Sequence, residues 1–319
     1  MTQQNFITRR QQQWDNIEKV ISGGSKEVKA NAVWFPRAFR ELTGDLNTAR
    51  SHAFDPLIIE RLNRLVLEGN QLLYGQRSFS IKALPVFILQ HFPAAVRKHW
   101  RGIAAVHLLF YGIMIFTAVL CVRFPEMVYE IMPRKQAFDF EQMYDPASTY
   151  YLTPREVASD ADMFGFYIYN NVSIAFIIFA GGILAGIGSF FILCMNALSI
   201  GAAAGHVINK GFSETFFSFI IGHSSFELTA IVISAYAGFL LGFSFLVRRG
   251  LSRKASFKKA GETAVPLIMG SALLLFIAAV IEAFWSSRHE LPEMLRYGAG
   301  ICGWLLLLFF FLFSGRKKA

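Results

Sequence analysis

The chain has 319 residues, 54% of them hydrophobic and 33 of them Phe, with a mean hydropathy of +0.41. Soluble domains average ~45–50% apolar and ~25% charged residues; with only 17% charged here, a single soluble globule is excluded. The net charge of +9 comes without any nucleic-acid recognition motif, so it reads as membrane topology and attraction to an anionic leaflet, with no nucleic-acid partner.

The start, MTQQNFITRRQQQW, is polar and lacks the apolar core and cleavage site of a signal peptide. Ile17, Val20 and Ile21 open an apolar stripe. In residues 58–75, Ile58, Leu62, Leu65, Leu67 and Leu72 fall mostly along one helical face, leaving Glu60, Arg61 and Arg64 toward solvent. Asp55-Pro56 predicts the helix start and Gly75 its stop. Residues 83–100 are apolar, interrupted by Pro85 and Pro93, and end in Trp100 beside Arg97, Lys98 and Arg101. That pattern predicts an interfacial helix on the inner leaflet. Residues 1–100 therefore read as a helical cytoplasmic and interfacial region, either a solvated cap or a docking platform, with no catalytic pattern.

Residues 101–319 read as an all-α, polytopic membrane bundle. Spans are predicted at 102–122, 167–185, 189–208, 218–247, 263–284 and 297–313. The stretch 167–208 would reach ~63 Å as one helix, twice the bilayer core, so it must fold back, with the break placed at Gly186–Ser189. Charge sets the orientation. Arg123–Met163 holds 4 basic and 8 acidic residues, whereas Arg248–Glu262 holds 6 basic and 1 acidic, and the tail carries Arg316, Lys317 and Lys318. Basic loops stay inside, which gives six spans with both termini in the cytoplasm. The outer loop 123–163, with Pro125, Pro133, Pro146 and Pro154, reads either as an ordered cap or as a docking arm. Cys121, Cys194 and Cys302 lie in or beside apolar runs, far apart, and read as packing residues.

The polar residues within the spans are the informative ones. His223 and Glu227 are four apart and share a helix face, while Glu282 sits in the separate apolar run LLLFIAAVIEAFW. An ionisable group near the bilayer centre costs at least ~2.5–3.5 kcal/mol, so each needs a partner inside the bundle or a wet cavity. Asn170 and Asn171 end the second span and Asn196 lies within the third, where an amide needs a hydrogen bond across helices. Gly222 predicts a broken or re-entrant helix that would help to build the site. Gly181, Gly182, Gly186, Gly188, Gly201 and Gly205 predict close helix packing. The His–Glu pair can be a structural lock, a proton-sharing pair or a cation site. It lacks the second histidine of a zinc protease, so neither a metal, nor a cofactor, nor a catalytic residue is assigned. His107 reads as packing and His206 as solvated near the outer surface.

These residues carry a resemblance. Asn170-Asn171, AGGILAGIGSFFILCMNALSIG, His223 to Glu227 with LTAIVISAYAGFLLG, and Ile281-Glu282-Ala283-Phe284 together resemble the stage II sporulation protein M family over roughly residues 100–315. The chain departs from the family pattern at Ser224 and Ala197, where a glycine is usual; both substitutes are small. The resemblance implies a non-enzymatic scaffold of the bacterial inner membrane that holds other envelope proteins, kept in company with a MoxR-type ATPase. The alternative is a proton- or cation-coupled transporter or channel using His223, Glu227 and Glu282. An intramembrane hydrolase with Glu227 activating water is disfavoured by the single nearby histidine. The partners expected are the lipid bilayer and other membrane or envelope proteins; self-association is left open.

Overall fold

The structure, a computed structural model, describes residues 2–74, 83–152, 157–246, 250–288 and 290–316. The expected helix stop at Gly75, and Pro154, Val247, Arg248, Lys317 and Lys318, lie outside the described residues. The chain forms two compact units, Met1–Ile81 and Lys82–Ala319, and among the described residues every regular element is a helix.

In the first unit α1 (Gln3–Ser22), α2 (Gly24–Ala30), α3 (Phe35–Ser51) and α4 (Pro56–Tyr74) surround one core. Phe35, Ala38, Phe39, Leu42, Leu46 and Ala49 recur at three- and four-residue spacing and are all buried. They meet Trp14, Ile17 and Ile21 of α1 and Leu62 and Leu65 of α4. Pro56 is the first residue of α4, and the Leu57 amide donates to Asp55 Oδ1 at 2.8 Å, the expected start. Two expectations need correction. Leu67 is exposed, on the far side of the helix from Leu62 and Leu65. Arg61 does not face open solvent: its Nη2 joins Asp15 at 2.6 Å and Glu18 at 2.7 Å on α1.

A polar pair stitches this core. Asp45, buried against α1, accepts from Trp14 Nε1 at 2.8 Å and from Arg10 Nε at 2.8 Å. The hydrogen bond to Asp45 raises the Arg10 guanidinium above its ordinary value, with burial working against it.

The second unit begins with α5 (Leu84–Val86), a π-helical turn Phe87–His91, and α6 (Phe92–Lys98). These residues, placed by sequence with the cytoplasmic region, pack within the bundle. Arg97 Nη1 donates to the Phe311 carbonyl at 2.8 Å, and Ser314 Oγ to the Leu89 carbonyl at 2.7 Å. Six helices of membrane length follow among the described residues: α7 (Trp100–Arg123), α11 (Val157–Ala180), α12 (Ile187–Asn209), α13 (Ser213–Leu246), α14 (Arg253–Ile281) and α15 (Glu293–Phe313). Between α7 and α11, the short α8 (Val128–Ile131), α9 (Arg134–Tyr144) and α10 (Thr149–Leu152) form an ordered cap. Tyr144 of α9 packs on Val207, Phe216 and Phe219 of α12 and α13.

The central helix is α13: 67% of its apolar window is buried, against 22% for α7, α11 and α15. It runs unbroken through Gly222 for 34 residues, which corrects the expected break. Gly222 instead faces the end of α14, where an added Cβ would come within 3.1 Å of Ser286 Oγ. The fold-back between α11 and α12 occupies Gly181–Gly186, slightly earlier than expected. Gly186 has φ +87°, a left-handed conformation that glycine adopts without a Cβ penalty. The other predicted packing glycines lie at close approaches: Gly182 abuts the Gly238 carbonyl, Gly181 abuts Gly188, and Gly201 and Gly205 abut the Met114 and Ala118 carbonyls of α7.

Two outcomes follow. Asp45→Ala leaves Trp14 Nε1 unpaired and Arg10 with Glu41 alone, and should destabilise the first unit by about 1–3 kcal/mol, read as faster hydrogen exchange in α1 and α3. Gly182→Leu forces side chain against the Gly238 carbonyl and should lower stability in detergent by about 1–3 kcal/mol or more. Gly112, with nothing within 4 Å of its would-be Cβ, is the control: Gly112→Leu should leave the melting midpoint unchanged.

Candidate functional site

At Glu282 the α-helical ladder of α14 passes into a π-helical turn, Glu282–Ser286. Such turns are rare, and frequent at functional sites. The wider turn carries Glu282 and Ser286 on the side facing α13. Because Gly222 has no side chain there, Ser286 Oγ reaches His223 Nδ1 at 3.0 Å. A neighbouring helix compensates the altered ladder, since Arg296 of α15 donates through Nη2 to the Ser286 carbonyl at 3.1 Å.

His223 and Glu227 are one turn apart on α13, as their spacing predicts. The His223 side chain is only 6% exposed, and its Nε2 lies 3.8 Å from Glu227 Oε2, beyond hydrogen-bond reach. Glu282 completes the group: one ligand atom from each of His223, Glu227 and Glu282 lies within 4.8 Å of the others. Spacing in the sequence could not supply this third member, because it comes from another helix.

The group lies in the wall of a cavity of about 300 Å³. Asn170 and Asn171 of α11 line it, as do Ser199 and Ala203 of α12 and Phe216, Phe219 and Ser224 of α13. Gln136, Phe140 and Tyr144 close it from the cap. Asn171 is buried and accepts from Asn170 Nδ2 at 2.9 Å. Asn196 does not join them. Its Nδ2 donates to the Ile192 carbonyl of its own helix at 3.2 Å, not to another helix. His107 is likewise bonded through Nδ1 to its own helix, at the Ile103 carbonyl.

His206, expected to be solvated, is 3% exposed. Its Nε2 lies 2.8 Å from Glu141 Oε1, and Lys210 Nζ lies 3.0 Å from the same oxygen. This latch fixes α9 on α12, and the Thr215 hydroxyl adds a bond to the Tyr144 carbonyl. Burial pushes the Glu141 carboxyl up, but the hydrogen bonds from Lys210 and His206 outweigh it and hold it below the ordinary carboxylate value. The cap residues Gln136, Phe140, Tyr144 and Glu141, and Ser286 and Arg296, were missed from sequence. Arg296 alone carried a signal, as a cation in the first turn of an apolar span.

Fold and site together define a polytopic α-helical membrane protein with a His–Glu–Glu group in its bundle. The family described as Stage II sporulation protein M matches residues 106–287, which enclose every residue of that group. The match covers more than half of the chain, and the chain belongs to this family. A domain of unknown function (DUF8413) matches residues 4–75, within the first unit. Among curated proteins, an uncharacterized protein of Methanocaldococcus jannaschii is 28% identical over 117 residues, which are 36% of this chain and 66% of that protein. No solved structure matches.

The latch gives a pH prediction. A carboxyl held below its unfolded value stabilises the folded state fully above that value, about 4.3, and the contribution is lost as pH falls through the folded value. Acidification below about pH 4 should therefore release α9, seen as faster hydrogen exchange across 134–144. Glu141→Gln should already exchange faster at neutral pH and lose most of that acid dependence.

Proposed function

We propose that this chain acts without catalysis as an assembly protein of the bacterial inner membrane, with its cavity reporting the state of the bundle to partner proteins. The observation that carries the reading is the double placement of α9, which walls the cavity through Gln136, Phe140 and Tyr144 and also forms the outer cap. A change at His223, Glu227 or Glu282 thereby acts on the surface that partners would meet. Basic residues at 248–262 and acidic ones at 123–163 support an orientation with both termini inside and the cap outside. Envelope proteins would dock on the cap, and a cytoplasmic ATPase of the MoxR type, implied by the family resemblance, on the basic N-terminal region.

A second reading, a cation-coupled transporter, has its own support. The cavity holds a His–Glu–Glu group in its wall and is lined by residues of α11, α12, α13 and the cap. Ionisable side chains converging on a cavity inside a helical bundle are what an ion-coupled carrier needs at its binding site.

In-cell crosslinking followed by mass spectrometry on wild type and on the Glu227→Gln, Glu282→Gln double variant separates the two. The assembly reading expects stoichiometric partners with wild type and their loss from the folded variant. An unchanged partner set, with ion flux from wild-type liposomes that the variant lacks, would replace it with the transporter reading.

A further inference from the structure

We infer that His223, Glu227 and Glu282 form a mononuclear binding site for a divalent transition metal. The inference names the occupant of the cavity and rests on the reading of that cavity as the working site. Three observations carry it. One nitrogen and two carboxylate oxygens, all from buried or half-buried side chains, lie within 4.8 Å of one another. Atoms at the corners of such a triangle share a point roughly 2.8 Å away, so closing by less than ~1 Å brings them to the ~2.0–2.2 Å of zinc–nitrogen and zinc–oxygen bonds. Glutamate torsions supply that movement. Next, the His223 ring is held from its other nitrogen, with Nδ1 3.0 Å from Ser286 Oγ; metal at Nε2 requires Nδ1–H to donate there, the outer-shell bond that orients a ligating histidine. Finally, His223 and Glu227 stop 3.8 Å apart, too far for a direct hydrogen bond and a natural spacing for two ligands of one ion.

The donor set selects the metal class. One imidazole and two carboxylates suit Zn²⁺, Mn²⁺, Fe²⁺ or Co²⁺, whereas Cu(I) asks for sulfur and Ca²⁺ for six to eight oxygens. A dication also balances the two carboxylates inside a low-dielectric bundle. Three protein ligands beside a cavity leave a coordination position for water or a small ligand, the pattern of an open rather than a purely structural site.

The test uses full-length protein in detergent, stripped with chelator and titrated with Zn²⁺, with metal content measured by mass spectrometry and the ligand shell by X-ray absorption. One Zn²⁺ per chain is expected, with an imidazole and oxygens and no sulfur. His223→Ala, Glu227→Gln and Glu282→Gln should each weaken binding at least 100-fold, Ser286→Ala about 10-fold, and His107→Ala not at all. No binding above background, sulfur in the shell, or undiminished binding in all three ligand variants would overturn the assignment. X-ray absorption on wild type decides even if the variants misfold. Loss of crosslinked partners in the Glu227→Gln, Glu282→Gln variant without any zinc binding would retire the metal and keep the cavity reading. Zinc binding with partners unaffected would do the reverse.

Discussion

Everything in the membrane unit depends on burying α13. A helix surrounded by other helices in hydrocarbon gains nothing from hydrophobic exclusion, since lipid is as apolar as its neighbours, and is held by packing and hydrogen bonds. Close packing around α13 is obtained by removing side chains where backbones meet: Gly238 and Gly242 receive the α11–α12 turn, Gly222 receives the end of α14, and Gly300 of α15 rests on Ile221. Those approaches fix the order of the helices. The order then decides which polar residues can meet, and brings Glu282 to His223 and Glu227 while leaving Asn196 to its own helix.

The π-helical turn at Glu282–Ser286 is the local consequence. The wider turn begins at Glu282 and ends at Ser286, and both side chains meet α13, Glu282 at the His223–Glu227 group and Ser286 at His223 Nδ1. Such a turn disturbs the hydrogen-bond ladder, and the Arg296 bond to the Ser286 carbonyl compensates within the bundle. Here the arginine keeps the turn, the turn positions Ser286, and Ser286 orients the imidazole.

Six spans, the short α11–α12 fold-back and the Asp55 start of α4 were legible in sequence because each follows from local chemistry: run length, glycine conformation, a capping carboxylate. What failed was whatever depended on neighbours. Gly222 between Ile221 and His223 resembles a break in one dimension, yet in the bundle it is a contact surface. Asn196 was expected to seek another helix, but its amide reaches the carbonyl four residues back. His206 was expected to be wet because its distance from the span end could be counted, whereas the folding of α9 over it could not. The interfacial reading of residues 84–98 stands apart from these; what no pattern announced is that Arg97 and Ser314 tie the α5–α6 segment and α15 together. The pairing of His223 with Glu227 was readable from spacing, and their meeting with Glu282 was not.

The site and the cap are separate in sequence but share walls, and this is where the energetics lead. An occupant of the cavity can move the cap only by as much as it prefers one arrangement over another, and shifting a two-state equilibrium from 1:99 to 99:1 takes about 5.5 kcal/mol of such preference. A lone hydrogen bond falls well short of that. Under the metal reading, a dication bound by two carboxylates and an imidazole would supply a far larger preference than any single neutral contact. The latch of Glu141 with His206 and Lys210 holds α9 on α12 and would oppose any such movement. The cavity and the latch meet at α9: the latch joins Glu141 of α9 to His206 and Lys210 of α12, and the cavity group joins His223 and Glu227 of α13 to Glu282 at the end of α14.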